Sequence, residues 1–430
     1  MRRVLLLLAA ATLVLLPLGL PRAASAHAEL LGTTPADGAV VAHVRAVALR
    51  FDEPVTARPD SIRVTGPGGA LAPVGTVRTV GPRVRARVLA RTAGTYEVTW
   101  RVVSDDGHPV AGTFSFSVRH ATVPVTARPA AGASLPAAYA VVRWLGYAGF
   151  CARAGGAVFL LLCWPAAGAL RRIEVLVGGG ALVAWSATWA TLFVQGAYDD
   201  GTWAHLAAPD TIVATLESRT GAATMTRLVL LLVLAVLAVA ALRWSMLLRG
   251  ADRRRLLAGT VVTAVLTAGT WSVTGHPSVG GGWPVAVAAD ALHLTAVALW
   301  LGGLLLLAAA RGAPLRAAST FSRMALPCVL VIAITGAYQA QRELPSWSAL
   351  VGTGYGRLVL GKVTGLILLA ACGQLARRML ARRMLTRRML AGDADAVTAP
   401  ARLHVLVMLE VVVAAAVLGV AAVLVQTPPR

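Results

Sequence analysis

Asp106 and His108 stand two residues apart in "SDDGHPVAG", a turn bounded by Gly107 and Pro109. A D-x-H pair on a loop can aim a carboxylate and an imidazole at one point, although Asp-Gly is also ordinary turn chemistry. His27 adds a different kind of donor. It follows "MRRVLLLLAAATLVLLPLGLPRAASA", which has a basic start, an apolar core broken by Pro17 and Pro21, and Ala24-Ser25-Ala26 as an A-x-A site. Residues 1–26 therefore read as a secretory signal peptide, with an uncleaved first membrane helix as the alternative. Cleavage after Ala26 leaves His27 with a free α-amine. A terminal histidine offers that amine and its ring Nδ1 to one metal ion, closing a chelate ring, and a further imidazole completes a T-shaped set of nitrogens. The amine, with an ordinary pKa of about 8, gives up its proton to a metal at neutral pH. Nitrogen donors in a tetragonal arrangement suit Cu(II). Residues 27–120 contain neither Met nor Cys, so the soft sulfur ligands of Cu(I) are missing from this part of the chain.

The elements that must hold these groups are strand-like. "TYEVTWRVV" alternates, with Tyr96, Val98, Trp100 and Val102 on one face, and "GTFSFSV" places Phe114, Phe116 and Val118 together. "RAVALRF" and "SIRVTGP" read as further short strands, and "PADGA" and "GPGGALAP" as turns. The pattern predicts an all-β Ig-like sandwich over residues 27–120. Residues 121–136, "ATVPVTARPAAGASLP", read as a semi-extended Pro/Ala-rich linker. His43 and His120 match no ligand pattern and read as surface histidines.

From residue 137 to 430 the chain changes character. The whole sequence is 57% hydrophobic, with a mean hydropathy of +0.70, too apolar for an ordinary soluble protein. Apolar runs at about 138–166, 173–197, 223–245, 256–275, 285–309, 324–341, 357–376 and 403–426 predict an all-α membrane bundle of about eight transmembrane helices. The net charge of +21 is concentrated in Arg171-Arg172, Arg249 to Arg255, Arg311 to Arg323 and Arg377 to Arg388. These clusters lie on alternate loops, the positive-inside pattern, which argues against nucleic acid as a partner and for the lipid bilayer. It also predicts a multi-pass protein of the plasma (inner) membrane with its N-terminal domain and C-terminus extracytoplasmic. The repeat "RRMLARRMLTRRML" reads as a basic segment meeting anionic headgroups. Cys151, Cys163, Cys328 and Cys372 all sit in apolar runs without a CxxC pair and read as small hydrophobes.

Ionisable residues inside spans are costly and mark functional positions. Here they are Arg143, Arg153, Asp290, His293, Lys362 and Glu410, with His276 at the outer end of its span. Asp290 and His293 share a helix face at i, i+3. His293 lies about nine residues into its span, or ~13 Å deep at 1.5 Å per residue. His276 and His293 thus form an outer and a deeper station on a candidate transport path that also takes in Asp290, Lys362 and Glu410. Lys362, the sole lysine, needs a partner, for which Glu410 is a candidate; structural ion pairing is the plain alternative for each of these groups.

With these residues in view, the N-terminal part resembles the CopC family of copper-binding proteins through His27, "TTPADGA", "VALRFDEPV" and "GTYEVTWRVVSDDGHPVAGTFSFSV". The resemblance implies His27, Asp106 and His108 as Cu(II) ligands. The family's Met-rich Cu(I) site has no counterpart here. Residues 137–430 resemble the CopD family through "GHPSVGGGWPVAVAADALHLTAVALWLGGLLLL", "FSRMALPCVLVIAITGAYQA", "TGYGRLVLGK" and "LHVLVMLEVVVAAAVLG". A CopC–CopD fusion implies copper uptake, homeostasis or resistance, with Cu(II) at the outer domain, Cu(I) as a candidate species in the membrane, and an extracytoplasmic copper chaperone as a candidate partner. The chain carries no Walker A motif, so ATP does not drive this transporter directly. A membrane redox protein (haem or copper oxidoreductase) and a non-transporting copper buffer or sensor are the competing readings. Haem needs two axial histidines at matched depth, and His276 and His293 differ in depth.

Overall fold

The computed structural model describes residues 28–58, 60–105, 107–122, 134–310, 313–344, 346–389 and 401–427, with backbone only at 382–389 and 401–402. The signal segment, His27, Asp106 and most of the linker lie outside these residues. Contacts divide the chain into two units. One holds the β domain through Tyr139 together with Phe193–Thr220, and the other holds Ala140–Leu192 and Gly221–Arg430.

The first unit is built on ten strands: β1 Leu30–Thr34, β2 Ala39–Val41, β3 Val44–Phe51, β4 Val55–Thr56, β5 Ile62–Thr65, β6 Leu71–Ala72, β7 Val74–Val80, β8 Arg83–Ala90, β9 Gly94–Ser104 and β10 Pro109–Val118. They form two sheets, ordered β1-β3-β8-β7 and β2-β10-β9-β5-β6, with β4 added to β9. All pairs are antiparallel except β2 with β10. This is the all-β sandwich that alternation predicts. Tyr96, Val98, Trp100, Val102, Phe114, Phe116 and Val118 all enter one core with Val47, Leu49, Phe51, Val84 and Val88. Register is pinned by side chains as well as by hydrogen bonds. Tyr96 and Phe116 are cross-strand partners and stack at 5.4 Å. Opposite Trp100 stands Gly112, where a Cβ would come within 2.6 Å of the indole, so only glycine lets the ring lie across the strand. Beyond β10, Thr122 exchanges hydrogen bonds with Thr95 (Thr95 N to Thr122 Oγ1, 2.9 Å; Thr122 N to Thr95 Oγ1, 2.8 Å).

The same unit includes the outer end of a helix that sequence reading treats only as a span and loop. Arg101 of β9 donates to the carbonyls of Tyr198 (2.6 Å) and Asp199. Arg58 pairs with Asp200 at 2.7 Å and Asp199 at 3.5 Å. Asp200 also meets His205 Nδ1 at 2.8 Å. Burial pushes the Arg101 guanidinium below its ordinary value, and the neighbouring Asp199 charge acts in the opposite direction.

The helical elements are α1 Ser134–Phe150, α2 Gly156–Leu162, α3 Arg171–Asp200, α4 Pro209–Glu217, α5 Arg219–Trp244, α6 Gly250–Ser272, α7 Trp283–Ala309, α8 Leu315–Glu343, α9 Ala349–Gly352, α10 Gly354–Met389 and α11 Ala401–Leu424. A π-helical turn, Cys151–Gly155, joins α1 to α2. There Gly155 packs so tightly on α7 that a Cβ would overlap Ala298 O and Gly302 Cα. The bundle core gathers Phe150, Phe159, Leu234, Trp271, Leu301 and Leu304.

Among the described residues seven helices are long and apolar enough to cross a membrane: Ser134–Leu162, Arg171–Asp200, Arg219–Trp244, Trp283–Ala309, Leu315–Glu343, Gly354–Ala381 and Leu403–Leu424. The run expected as an eighth span at 256–275 forms helix α6, Gly250–Ser272, which is not among these seven; its 23 residues make about 34 Å at 1.5 Å per residue. Its hydropathy is lowered by a threonine face that turns inward. Thr260, Thr263, Thr267 and Thr270 are buried, and Thr260, Thr267 and Thr270 bond carbonyls of their own helix. Helix ends also depart from the sequence reading. Helix α1 begins at Ser134, inside the expected linker, because Pro136 is tolerated in a first turn. Helix α10 runs on to Met389 because Arg, Met, Leu and Ala are good helix formers outside an apolar span as well as inside it. Replacing Arg101 by Ala is expected to raise amide hydrogen exchange in residues 203–217 while β9 stays protected, as read by mass spectrometry.

Candidate metal centre

The turn carrying His108 is the hairpin connection between β9 and β10. Ser104 N donates to His108 O (2.9 Å), and Gly107 N donates to Ser104 O (2.9 Å). Gly107 takes φ +84°, a conformation that glycine adopts without the Cβ penalty. His108 itself is 4% exposed.

Ser104 reaches in two other directions. Its hydroxyl donates to Glu53 Oε1 and accepts from Ala28 N at 3.2 Å. Ala28 is 4% exposed. The next residue is fastened too: Glu29 N donates to Asp52 Oδ1 (2.6 Å), and Asp52 N donates to Glu29 O (3.1 Å). The chain that follows His27 is therefore tied to the base of the turn that carries His108. A buried N–H left unpaired costs roughly 1–3 kcal/mol, so Ser104 is worth retaining for the anchor alone. Sequence reading finds neither Ser104 nor Glu53, since their contacts bridge 76 and 51 residues and no local pattern announces them. His27 and Asp106 lie outside the described residues.

In the helical unit, half-buried His293 of α7 meets Thr335 of α8, Nδ1 to Oγ1 at 2.9 Å. The threonine proton goes to Val331 O at 2.6 Å. Oγ1 must then accept from Nδ1–H, which leaves the lone pair on His293 Nε2. The imidazole also has a backbone hydrogen bond with Ile332, and a ring held through one nitrogen is the arrangement that metal-binding histidines use. The ring sits over Gly336, where a Cβ would lie 3.3 Å from Cε1. One turn earlier, Asp290 accepts from Ser272 Oγ at 2.7 Å and lies within electrostatic reach of Lys362 and Arg143. Arg143 Nε in turn donates to Tyr147 Oη at 3.0 Å.

This arrangement answers the question of the lone lysine. Its carboxylate neighbour is Asp290, whereas Glu410 has Arg377 as its charged neighbour. Lys362 thus has Asp290, not the Glu410 considered from sequence, as the carboxylate within its electrostatic reach. His276 is buried in a short 3-10 turn, His276–Ser278. Among the described residues no three His, Cys, Asp or Glu side chains meet as a ligand set.

Comparison with known families bears on both parts. Residues 30–119 match the family model for the CopC domain, 134–286 that for the Copper resistance protein D-like, N-terminal domain, and 315–424 that for Copper resistance protein D. The chain is a CopC–CopD fusion. Copper resistance protein C of Xanthomonas campestris pv. juglandis is 32% identical over 120 residues, 26% of this chain and 94% of that protein. Copper transport protein CutJ of Bacillus subtilis (strain 168) is 26% identical over 382 residues, 83% of this chain and 68% of that protein. Among solved structures, CopC from Methylosinus trichosporium OB3b matches at 26% identity and a TM-score of 0.20, covering 23% of this chain and 100% of that one. The CopC–CopD fusion thus belongs to copper resistance and transport families, and its apolar helices make it a multi-pass membrane protein.

Within the fusion, His108 falls in the CopC match and His276 in the first D-like match, while Lys362 and Glu410 fall in the second. Asp290 and His293 fall between the two D matches, so their grouping with Lys362 comes from packing rather than from family likeness. Breaking a buried pair by removing one partner costs roughly 3–5 kcal/mol. Lys362→Met is expected to lower the thermal midpoint of the purified protein, and adding Asp290→Asn to restore much of the loss; additive losses would show that the two groups do not interact.

Proposed function

We propose that the fusion captures Cu(II) outside the cell at the start of the mature chain and moves copper inward across the plasma (inner) membrane, serving homeostasis or resistance. In this reading residues 1–26 are removed, 27–120 form the capture domain, 121–136 link it, and 137–430 form the translocating bundle. His27 supplies its α-amine and imidazole, His108 a second imidazole, and Asp106 a carboxylate. The observation that carries the reading is the anchoring of Ala28 on Ser104, the residue whose own N–H holds the His108 carbonyl. The residue before Ala28 is one peptide unit, 3.8 Å between Cα atoms, from that anchor. A freed terminus and the His108 turn then share one support.

Past the capture domain, His276 serves as the outer station and His293 Nε2 as the deeper one. Asp290 offsets the charge of the passing ion, and Lys362 and Arg143 offset the Asp290 carboxylate when no ion is there. Copper entering a reducing cytoplasm is Cu(I), so a reductant acts on one side of the membrane or the other. An extracytoplasmic copper chaperone is a candidate donor, and the alternation of basic loops supports a cytoplasmic position for the bundle's Arg-rich end.

The test is copper uptake into proteoliposomes carrying an internal copper chelator dye. Wild type is expected to load the dye, and His293→Ala to slow loading at least tenfold with Cu(II) binding outside unchanged. Equal rates would remove His293 from the route. Loading by neither protein would mean that the fusion stores copper rather than moving it.

A further inference from the structure

A second site stands apart from the copper residues, at the Arg-rich end of the bundle. Helices α7, α8, α10 and α11 enclose a cavity of about 110 Å³, of the order of the ~150 Å³ cavity, lined by Leu, Ile and Phe, that takes up benzene. Its walls are mostly apolar, with the rings of Trp300 and Phe321 among them. Its polar lining includes Glu410, Arg377, Gln374 and His404.

Glu410 is the group that asks for a ligand. It is 3% exposed, and its Oε1 has no hydrogen-bond partner among the described residues. A carboxyl oxygen without a donor in an apolar setting is costly, whether the group is ionised or neutral. Space beside it is open because residue 373 is glycine, where a Cβ would stand 3.9 Å from Oε1. Charge narrows the ligand class. Arg377, held by its Nη2–H to Ser322 O at 2.5 Å, lies within electrostatic reach of Glu410 and already offsets a negative charge there. A cation would be in surplus, so the fitting donor is neutral. Aromatic side walls and a single-ring volume favour a ring that carries it.

We propose that this cavity binds the hydroxylated single-ring headgroup of a membrane-soluble phenol or quinol, with its O–H donating to Glu410. The body of the ring fills the space between Trp300 and Phe321, and the hydroxyl supplies the bond that Oε1 lacks. The proposal does not rest on the copper stations His276 and His293, which do not line this cavity; of the residues read from sequence as a candidate path, Glu410 alone does.

The full-length protein in nanodiscs, titrated with 3-fluorophenol and separately with 3-fluoroanisole and followed by 19F NMR, tests it against empty nanodiscs. The two probes have the same ring, but only the phenol can donate. Wild type is expected to bind the phenol saturably and about tenfold more tightly than the anisole. Glu410→Leu is expected to erase that preference while still binding the anisole, which shows that the cavity has formed. Gly373→Leu, which fills the space beside Oε1, is expected to lose both. Equal affinity of wild type for the two probes would overturn the proposal in favour of plain apolar filling by lipid. A preference surviving in Glu410→Leu, or no saturable binding by wild type, would also overturn it.

Discussion

The hydrogen bond from Ala28 N to Ser104 Oγ is the constraint on which the account of the outer domain rests. It joins the start of the folded chain to the end of β9, from which the His108 turn departs. The sandwich serves that bond. Alternating side chains of β9 and β10 fix the register that brings Ser104 to the turn, and β3 delivers Asp52 to hold Glu29. A terminal amine is a useful metal donor only when the chain behind it cannot swing away, because each free rotor would add its ordering cost to binding. Here the residues directly behind the terminus are buried or bonded. In the proposed reading, removal of residues 1–26 does more than release the domain, since it would create a metal donor next to this anchor.

The bundle solves a related problem in an apolar medium. Charges inside it occur in company: Asp290 with Ser272, Lys362 and Arg143; Arg227 with Thr270 and the face of Trp271 at 4.4 Å; Arg153 with Val177 O. Partners of this kind lower the cost of keeping ionisable groups among helices. His293 is set up differently from the others. Its neighbour Thr335 orients the ring through Nδ1, and Gly336 leaves room for the ring. The π-helical turn at Cys151–Gly155 brings the first span against α7 at Ala298 and Gly302, five residues and more beyond His293.

Much of this was legible in the sequence for physical reasons. Period-two alternation in residues 94–118 reads directly as β9 and β10, since side chains on a strand point to opposite faces. Long apolar runs and alternating Arg clusters read as membrane helices. Of the proposed ligands His27, Asp106 and His108, only His108 lies among the described residues, so the sequence reading of that site stands as a proposal. What sequence could not show was tertiary pairing. Ser104 and Glu53 carry no local signal, and Arg58 and Arg101 look like ordinary strand and loop arginines until they meet Tyr198, Asp199 and Asp200. Lys362 was recognised as needing a partner, but choosing Asp290 over Glu410 requires knowing which helices touch. Sequence reading takes α6 as an eighth span, but it falls outside the seven helices apolar enough to cross a membrane, and its threonines are buried and bond their own backbone.

The most direct test of the central claim is the Cu(II) electron paramagnetic resonance spectrum of two forms of the protein, one beginning at His27 and one retaining Ala26. The account predicts a tetragonal, nitrogen-rich Cu(II) signal in the form that begins at His27, and loss of the terminal-amine nitrogen with at least tenfold weaker binding when Ala26 remains. Identical spectra and affinities in the two forms would contradict it.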